Sequence, residues 1–290
     1  MLRAVPSQLF EYTTTMNAAL CVLPDNRTAA YFTYASFPAA TISKRVYTTT
    51  SSDGGLTFAP AVPQLGPAPW YTAVLSAAIS VYEVPQCLAL PDGSVSLMWQ
   101  AYPLGLRSGR ALWNASSAAF DWPHSTAKLA VVDEADDGGI NRPPIRLRNG
   151  RLFHIGAGAD MPGGSCKGIG MMGAYSDDLG KSWQHSATNL SVPHTTTSLT
   201  CGAADEPMTV ELSNGTLWTL IRTNAGGNET MATSTLWEAF SDDGGENFRG
   251  PPQPSSLISW SSPAVVMRLD RSALWQQQSD GHHRARHGCS

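Results

Sequence analysis

The chain has 290 residues, of which 42% are hydrophobic and 14% charged: enough apolar content for a sizeable core, and too little charge for a disordered chain or a solvated helical bundle. Its 19 basic and 23 acidic residues give a net charge of −4 with no basic stripe, which argues against a nucleic-acid partner. No run approaches the length of a membrane-spanning helix, and Met1-Leu2-Arg3-Ala4-Val5-Pro6 lacks the apolar stretch of a secretory leader.

In chain order, the predicted elements are short strands paired around turn signals. Ala19-Leu20-Cys21-Val22-Leu23 leads into Pro24-Asp25-Asn26, and Ser51-Ser52-Asp53-Gly54-Gly55-Leu56-Thr57-Phe58 marks a later turn. Runs 87–90 and 95–99 flank Pro91-Asp92-Gly93, and residues 114–122 are a degenerate copy of the Ser51 segment that keeps its closing aromatic. Runs 145–147 and 152–155 flank Asn149-Gly150, followed by Ser176-Asp177-Asp178-Leu179-Gly180-Lys181-Ser182-Trp183. Runs 208–212 and 217–221 flank Asn214-Gly215, followed by Ser241-Asp242-Asp243-Gly244-Gly245-Glu246-Asn247-Phe248; residues 263–270 open one more hairpin. Asp-Gly and Asn-Gly between apolar runs are strong hairpin signals. In the shared box, Ser-x-Asp-x-Gly-x-(Thr/Ser/Asn)-(Trp/Phe), the Asp satisfies main-chain N–H groups, the Gly takes a positive φ, and the aromatic anchors the turn on its sheet.

The closing aromatics fall at 58, 122, 183 and 248, at steps of 61 to 65 residues. Two hairpins per step make a four-stranded antiparallel sheet, and sheets repeated at fixed period predict an all-β chain built as a β-propeller. Residues 1–275 then hold four blades and the start of a fifth, an incomplete ring, and residues 276–290 form a disordered tail. The histidines of that tail have no ligand spacing; no metal and no cofactor are expected.

Within a blade, the first strand runs from the channel mouth to the first hairpin, the second returns, and the box turn lies at the end away from the mouth. Residues just before strand one and just after strand two therefore face the candidate site. A two-residue turn at Asn214-Gly215 puts Glu206 opposite Thr223 and Pro207 opposite Arg222, so Glu206 and Arg222 share one end. The same register sends Asn141 and Arg142, and Gln86 with Gln100, to the rim. On pattern alone, Glu206 and Arg222 also fit a rim ion pair worth at most about 1 kcal/mol, and Arg142 an ordinary residue at the start of a strand. Trp99, Trp218 and Trp260 fit packing between blades better than sugar platforms, and Cys21 and Cys87, at matching first-strand positions, read as core residues.

The three boxes resemble the Asp-box (BNR) repeats of sialidases, and Asp205-Glu206-Pro207-Met208-Thr209-Val210-Glu211-Leu212-Ser213-Asn214-Gly215 through Arg222-Thr223-Asn224 resembles their segment of Glu, strand, turn, strand and Arg. The likeness covers roughly residues 17 to 275. It implies a six-bladed propeller hydrolysing terminal sialic acids, with Glu206 activating a tyrosine nucleophile and Arg222 as one of three arginines on the substrate carboxylate. A neutral nucleophile suits an anomeric carbon that already bears a carboxylate. The family's Arg-Ile-Pro segment has no counterpart near the first unit; Arg142-Pro143-Pro144 is a distant echo in a later one. No acid/base aspartate stands in residues 33–48, and the tyrosine belongs to a blade beyond the fifth. The expected partners are sialylated glycans or related acidic sugars; the alternative is a non-catalytic propeller binding glycans or proteins at the same mouth.

Cys166 and Cys201 fall in loops sent to that mouth, either as a disulfide or as two free thiols. Asn26, Asn114, Asn189, Asn214 and Asn228 stand in Asn-x-Ser/Thr sequons, five of ten asparagines, which leans towards a secreted or lumenal protein.

Overall fold

The computed structural model describes residues 13–36, 45–63, 80–81, 86–102, 105–116, 119–121, 130–133, 144–158, 170–190, 204–223, 235–258, 264–268 and 274–278. Among them are twenty strands and no helix, hence no helix long and apolar enough to cross a membrane. The chain divides into two compact units, 1–144 with 176–184, and 145–175 with 185–290.

In the first unit, β1 (Thr13–Val22), β2 (Thr28–Ser36), β3 (Arg45–Ser51) and β4 (Val62–Pro63) pair antiparallel in that order. The next sheet has six segments where four strands were expected: β5 (Ser80–Val81), β6 (Gln86–Ala89), β7 (Ser94–Tyr102), β8 (Gly105–Asn114), β9 (Ala119–Asp121) and β10 (Ala130–Asp133). They occupy four positions, because β5 and β6 both pair with β7, and β9 and β10 both pair with β8. Cys21 on β1 and Cys87 on β6 form a disulfide with Cα atoms 5.6 Å apart, inside the range such a bond requires. The two residues read as separate core positions are therefore one covalent tie between neighbouring sheets.

The second unit carries a third sheet of β11 (Ile145–Arg146), β12 (Leu152–Gly158), β13 (Gly170–Ser176) and β14 (Gln184–His185). A fourth is made of β15 (Ala204–Glu211), β16 (Leu217–Thr223), β17 (Thr235–Ser241) and β18 (Gln253–Ile258), and a hairpin follows of β19 (Ala264–Arg268) and β20 (Leu274–Gln278). Gln276, Gln277 and Gln278 pair with Val266, Val265 and Ala264, so these three residues leave the expected tail. A ladder is made by main-chain groups, which a glutamine supplies as well as a valine does. Residues 279–290 lie outside the described residues.

Four first hairpins use one turn. Leu23, Leu90, Leu147 and Leu212 each accept at their carbonyl from Asn26, Gly93, Gly150 and Gly215, residues with φ of +66, +79, +93 and +90°. Within each loop an Asx side chain accepts the N–H two residues on: Asp25 from Arg27, Asp92 from Ser94, Asn149 from Arg151 and Asn214 from Thr216. Each loop thus has three residues closed by a left-handed one, not the two-residue turn that Asn-Gly predicts.

All three boxes stand between the third and fourth strands of their sheets, as the repeat requires. Ser51, Ser176 and Ser241 each accept at Oγ from the glycine four residues on, at 2.8, 2.8 and 2.9 Å. Asp53, Asp178 and Asp243 each accept at Oδ1 from the N–H of Thr57, Ser182 and Asn247, all at 2.9 Å. Hydrogen bonds from the Ser51 and Thr57 hydroxyls hold the Asp53 carboxyl well below its usual range. For Asp178 and Asp243 partial burial works the other way, and their hydrogen bonds outweigh it.

Phe248, the closing aromatic of the last box, enters a core of Leu147, Phe153, Ile155, Met171, Leu217 and Ile221. Its ring centroid lies 6.1 Å from that of Phe153, at a tilt of 48°. Second strands are buried on both faces over 94–98 and 152–156, which is why these runs, His154 apart, are apolar or small without alternation. Each large side chain so buried contributes about 1.5 to 3 kcal/mol.

Candidate functional site

In the fourth sheet, β15 begins and β16 ends at the end away from both the Ser213-Asn214-Gly215 turn and the Ser241 box. There Ala204 pairs with Thr223 and Asp205 with Arg222; the ladder resumes at Met208 and Leu220. Glu206 and Pro207 lie in the bulge between. Pro207 has no N–H to give, so the ladder cannot run through it and the extra residue is absorbed there. The expected pairings, Glu206 with Thr223 and Pro207 with Arg222, are therefore corrected twice: by the three-residue turn and by the bulge. Glu206 and Arg222 still stand on adjacent strands at one end of the sheet, with Arg222 half-buried.

Asn141 and Arg142 lie outside the described residues, as do Cys166 and Cys201. Gln86 pairs with Met98 and is buried, and Gln100 pairs with Leu106, so these two do not meet across their hairpin. Trp218 packs beside Val210, Leu220 and Leu236 and donates Nε1–H to Glu238 at 3.0 Å. It is a packing residue with its polar edge already used.

The opposite end holds a cavity of about 520 Å³ that turn-by-turn reading of the sequence does not reveal. Its charges are already paired. Arg148 donates to the carbonyls of Leu212 and Ser213, both at 2.6 Å, and its N–H to Glu211 at 3.0 Å. Arg151 reaches Glu246 at 2.8 Å and the Asp243 carbonyl at 3.1 Å. Asp242 takes two bonds from Arg249 at 2.7 Å and one from Thr216 at 2.8 Å, which lower its pKa to about 2. These groups hold turns together, and the only sequence signal for them was the repeated turn itself.

His154 on β12 is 4% exposed, and its Nε2 has no hydrogen-bond partner among the described residues. Burial pushes its pKa down to about 4, so the imidazole is neutral at pH 7. Among the described residues no group of three or more His, Cys, Asp or Glu is placed to hold a metal.

No sequence family and no curated protein matches the chain. Solved structures do. A Dyadobacter fermentans protein of unknown function aligns at TM-score 0.66 and 17% identity, over 94% of this chain and 77% of that one. A Penicillium chrysogenum α-L-arabinanase complexed with arabinobiose aligns at 0.60 and 16%, over 93% and 78%. A Hadza microbial sialidase aligns at 0.58 and 14%, over 88% of this chain and 50% of its own, so the chain spans half the length of that enzyme. At these identities the likeness is one of fold.

Proposed function

We propose that the sheets are blades of a propeller, and that the end of the fourth sheet bearing Glu206 and Arg222 binds and hydrolyses terminal sialic acids or related acidic sugars. The observation that carries this reading is the strand pairing: Arg222 stands opposite Asp205, with Glu206 in the adjoining bulge. A guanidinium offers a planar fork to a substrate carboxylate. Beside it, Glu206 takes the proton of a nucleophile as that nucleophile bonds to the anomeric carbon and the glycosidic C–O bond breaks, the freed oxygen leaving with the electron pair and taking a proton from water. Asn141 and Arg142 contribute further substrate contacts in this reading. Because an arabinan has no carboxylate, Arg222 favours an acidic sugar over the neutral one seen with the arabinanase.

The test is turnover and binding of a fluorogenic sialoside beside an arabinan oligosaccharide. Sialoside hydrolysis that disappears in Glu206→Gln while binding persists is the expected result. Binding without turnover in the unaltered protein selects the non-catalytic glycan-binding propeller, and hydrolysis of arabinan alone rejects the acidic-sugar reading.

A further inference from the structure

The geometry points to Asn26 and Asn214 as N-glycan attachment sites on a chain that matures in an oxidising lumen. Both asparagines stand in sequons, Asn26-Arg27-Thr28 and Asn214-Gly215-Thr216. Both occupy first-hairpin turns and are exposed. Asn26 is the left-handed residue of its turn, φ +66°, and its neighbour Asp25 makes the Asx contact to the Arg27 N–H. Asn214 makes that contact itself, through Oδ1 at 3.1 Å from the Thr216 nitrogen. Neither amide nitrogen donates a hydrogen bond among the described residues, so a sugar on Nδ2 displaces nothing.

Exposed turn asparagines arise in any Ser/Thr-rich chain, and by themselves these sequons indicate little. The Cys21–Cys87 disulfide is the independent observation. Both sulfurs belong to buried residues, 6% and 4% exposed, on strands of neighbouring sheets. Such structural disulfides form and persist in secretory and extracellular compartments, where sequons are also read, and are rare in a reducing cytosol. Asn114 and Asn189 are exposed too, but neither stands in a first-hairpin turn: Asn114 ends β8 and Asn189 follows β14. The proposal commits to the two asparagines of the first-hairpin turns, neither of which donates from Nδ2 among the described residues.

The chemistry balances with two co-reactants of that compartment. The asparagine amide nitrogen bonds to the anomeric carbon of a polyprenyl-pyrophosphate-linked oligosaccharide; the carbon–oxygen bond to pyrophosphate breaks, the lipid pyrophosphate leaves with the electron pair, and the amide gives up one proton. The two thiols lose two electrons and two protons to a protein disulfide, which is reduced. In the fourth sheet, Asn214 lies at the end away from Arg222, so a glycan there leaves the Arg222 end uncovered. This inference does not rest on the proposed hydrolysis.

The full chain, directed into the secretory lumen of a eukaryotic host, decides it by intact mass before and after peptide N-glycosidase, together with a peptide map without reduction. The unaltered protein is expected to lose mass on deglycosylation, with Asn26 and Asn214 converted to Asp by the enzyme, and Cys21 and Cys87 recovered as one cross-linked peptide. Asn26→Asp and Asn214→Asp keep the turn geometry and are each expected to lose one glycan; Thr28→Ala is expected to do the same at Asn26 with the asparagine intact. An enzyme-resistant mass, glycans confined to other asparagines, or Cys21 and Cys87 recovered as free thiols overturns the proposal.

Discussion

Arg151 donates from the first turn of the third sheet to the main-chain carbonyl of Asp243, 3.1 Å away in the box turn of the fourth. The same guanidinium pairs with Glu246 and lies over the Tyr175 ring, 4.3 Å from its centroid, with its side chain 10% exposed. Arg27, the residue after the left-handed position of its own turn, likewise donates to the Ala115 carbonyl at 3.1 Å. One turn position thus ties a hairpin to the next sheet in both units. Arg151→Ala is expected to lower unfolding free energy by about 1.5 to 3 kcal/mol, since it removes a largely buried guanidinium with its charged hydrogen bond to the Asp243 carbonyl, its pairing with Glu246 and its contact with the Tyr175 ring. Arg27→Ala, at a more exposed site, is expected to cost about 1 kcal/mol. Urea unfolding midpoints at unchanged m-value compare the two.

Gly244 and Gly245 are both left-handed, at φ +71 and +92°. A Cβ on Gly245 would overlap the Phe153 ring, whereas on Gly244 its nearest neighbours are 3.4 Å away. Gly244→Ala is expected to cost about 1 kcal/mol of backbone strain. Gly245→Ala adds a collision in the core and is expected to cost at least about 3 kcal/mol. Equal thermal midpoints for the two variants would contradict this packing.

His154 and the box aspartates place acid sensitivity in two separate pH windows. The folded His154 has its pKa at about 4 against an ordinary 6.5, because burial disfavours the imidazolium. On acidification the unfolded chain therefore takes up that proton first. The effect of His154 alone is absent above pH 6.5, lowers stability by about 3 kcal/mol between 6.5 and 4, and levels off below. For Asp178, Asp243 and Asp242 the folded values lie below 3.8, so their contribution is intact above 3.8 and is lost as pH falls through the folded values. His154→Leu is expected to remove the loss between pH 6.5 and 5 and leave the lower window in place, as read by denaturant midpoints across that range.

The repeat of hairpin and box was legible because each turn is specified locally: an Asx side chain, a left-handed Gly or Asn, and a box Asp with its Ser. The four sheet positions follow from that alone. Register was not, because Asn214-Gly215 fits a two-residue turn as well as the three-residue one adopted, and the choice depends on how the strands twist. The bulge at Glu206 and Pro207 was hidden for a similar reason: a single proline signals a break without saying which neighbour slips. Cys21 and Cys87 showed matching positions but not proximity, which depends on how the first two sheets pack. At the candidate site, Glu206 and Arg222 could be sent to one end by counting from the turn, but their pairing partners could not.

The proposed role of Arg222 is to hold a carboxylate at its end of the fourth sheet. Calorimetric titration of free sialic acid into the unaltered protein, Arg222→Lys and Arg222→Ala tests it most directly. A guanidinium that forks onto a carboxylate should give binding that falls by about 2 kcal/mol or more in Arg222→Ala, with Arg222→Lys recovering only part because it keeps the charge and loses the fork. Unchanged affinity across all three proteins, or no binding in any of them, contradicts the claim.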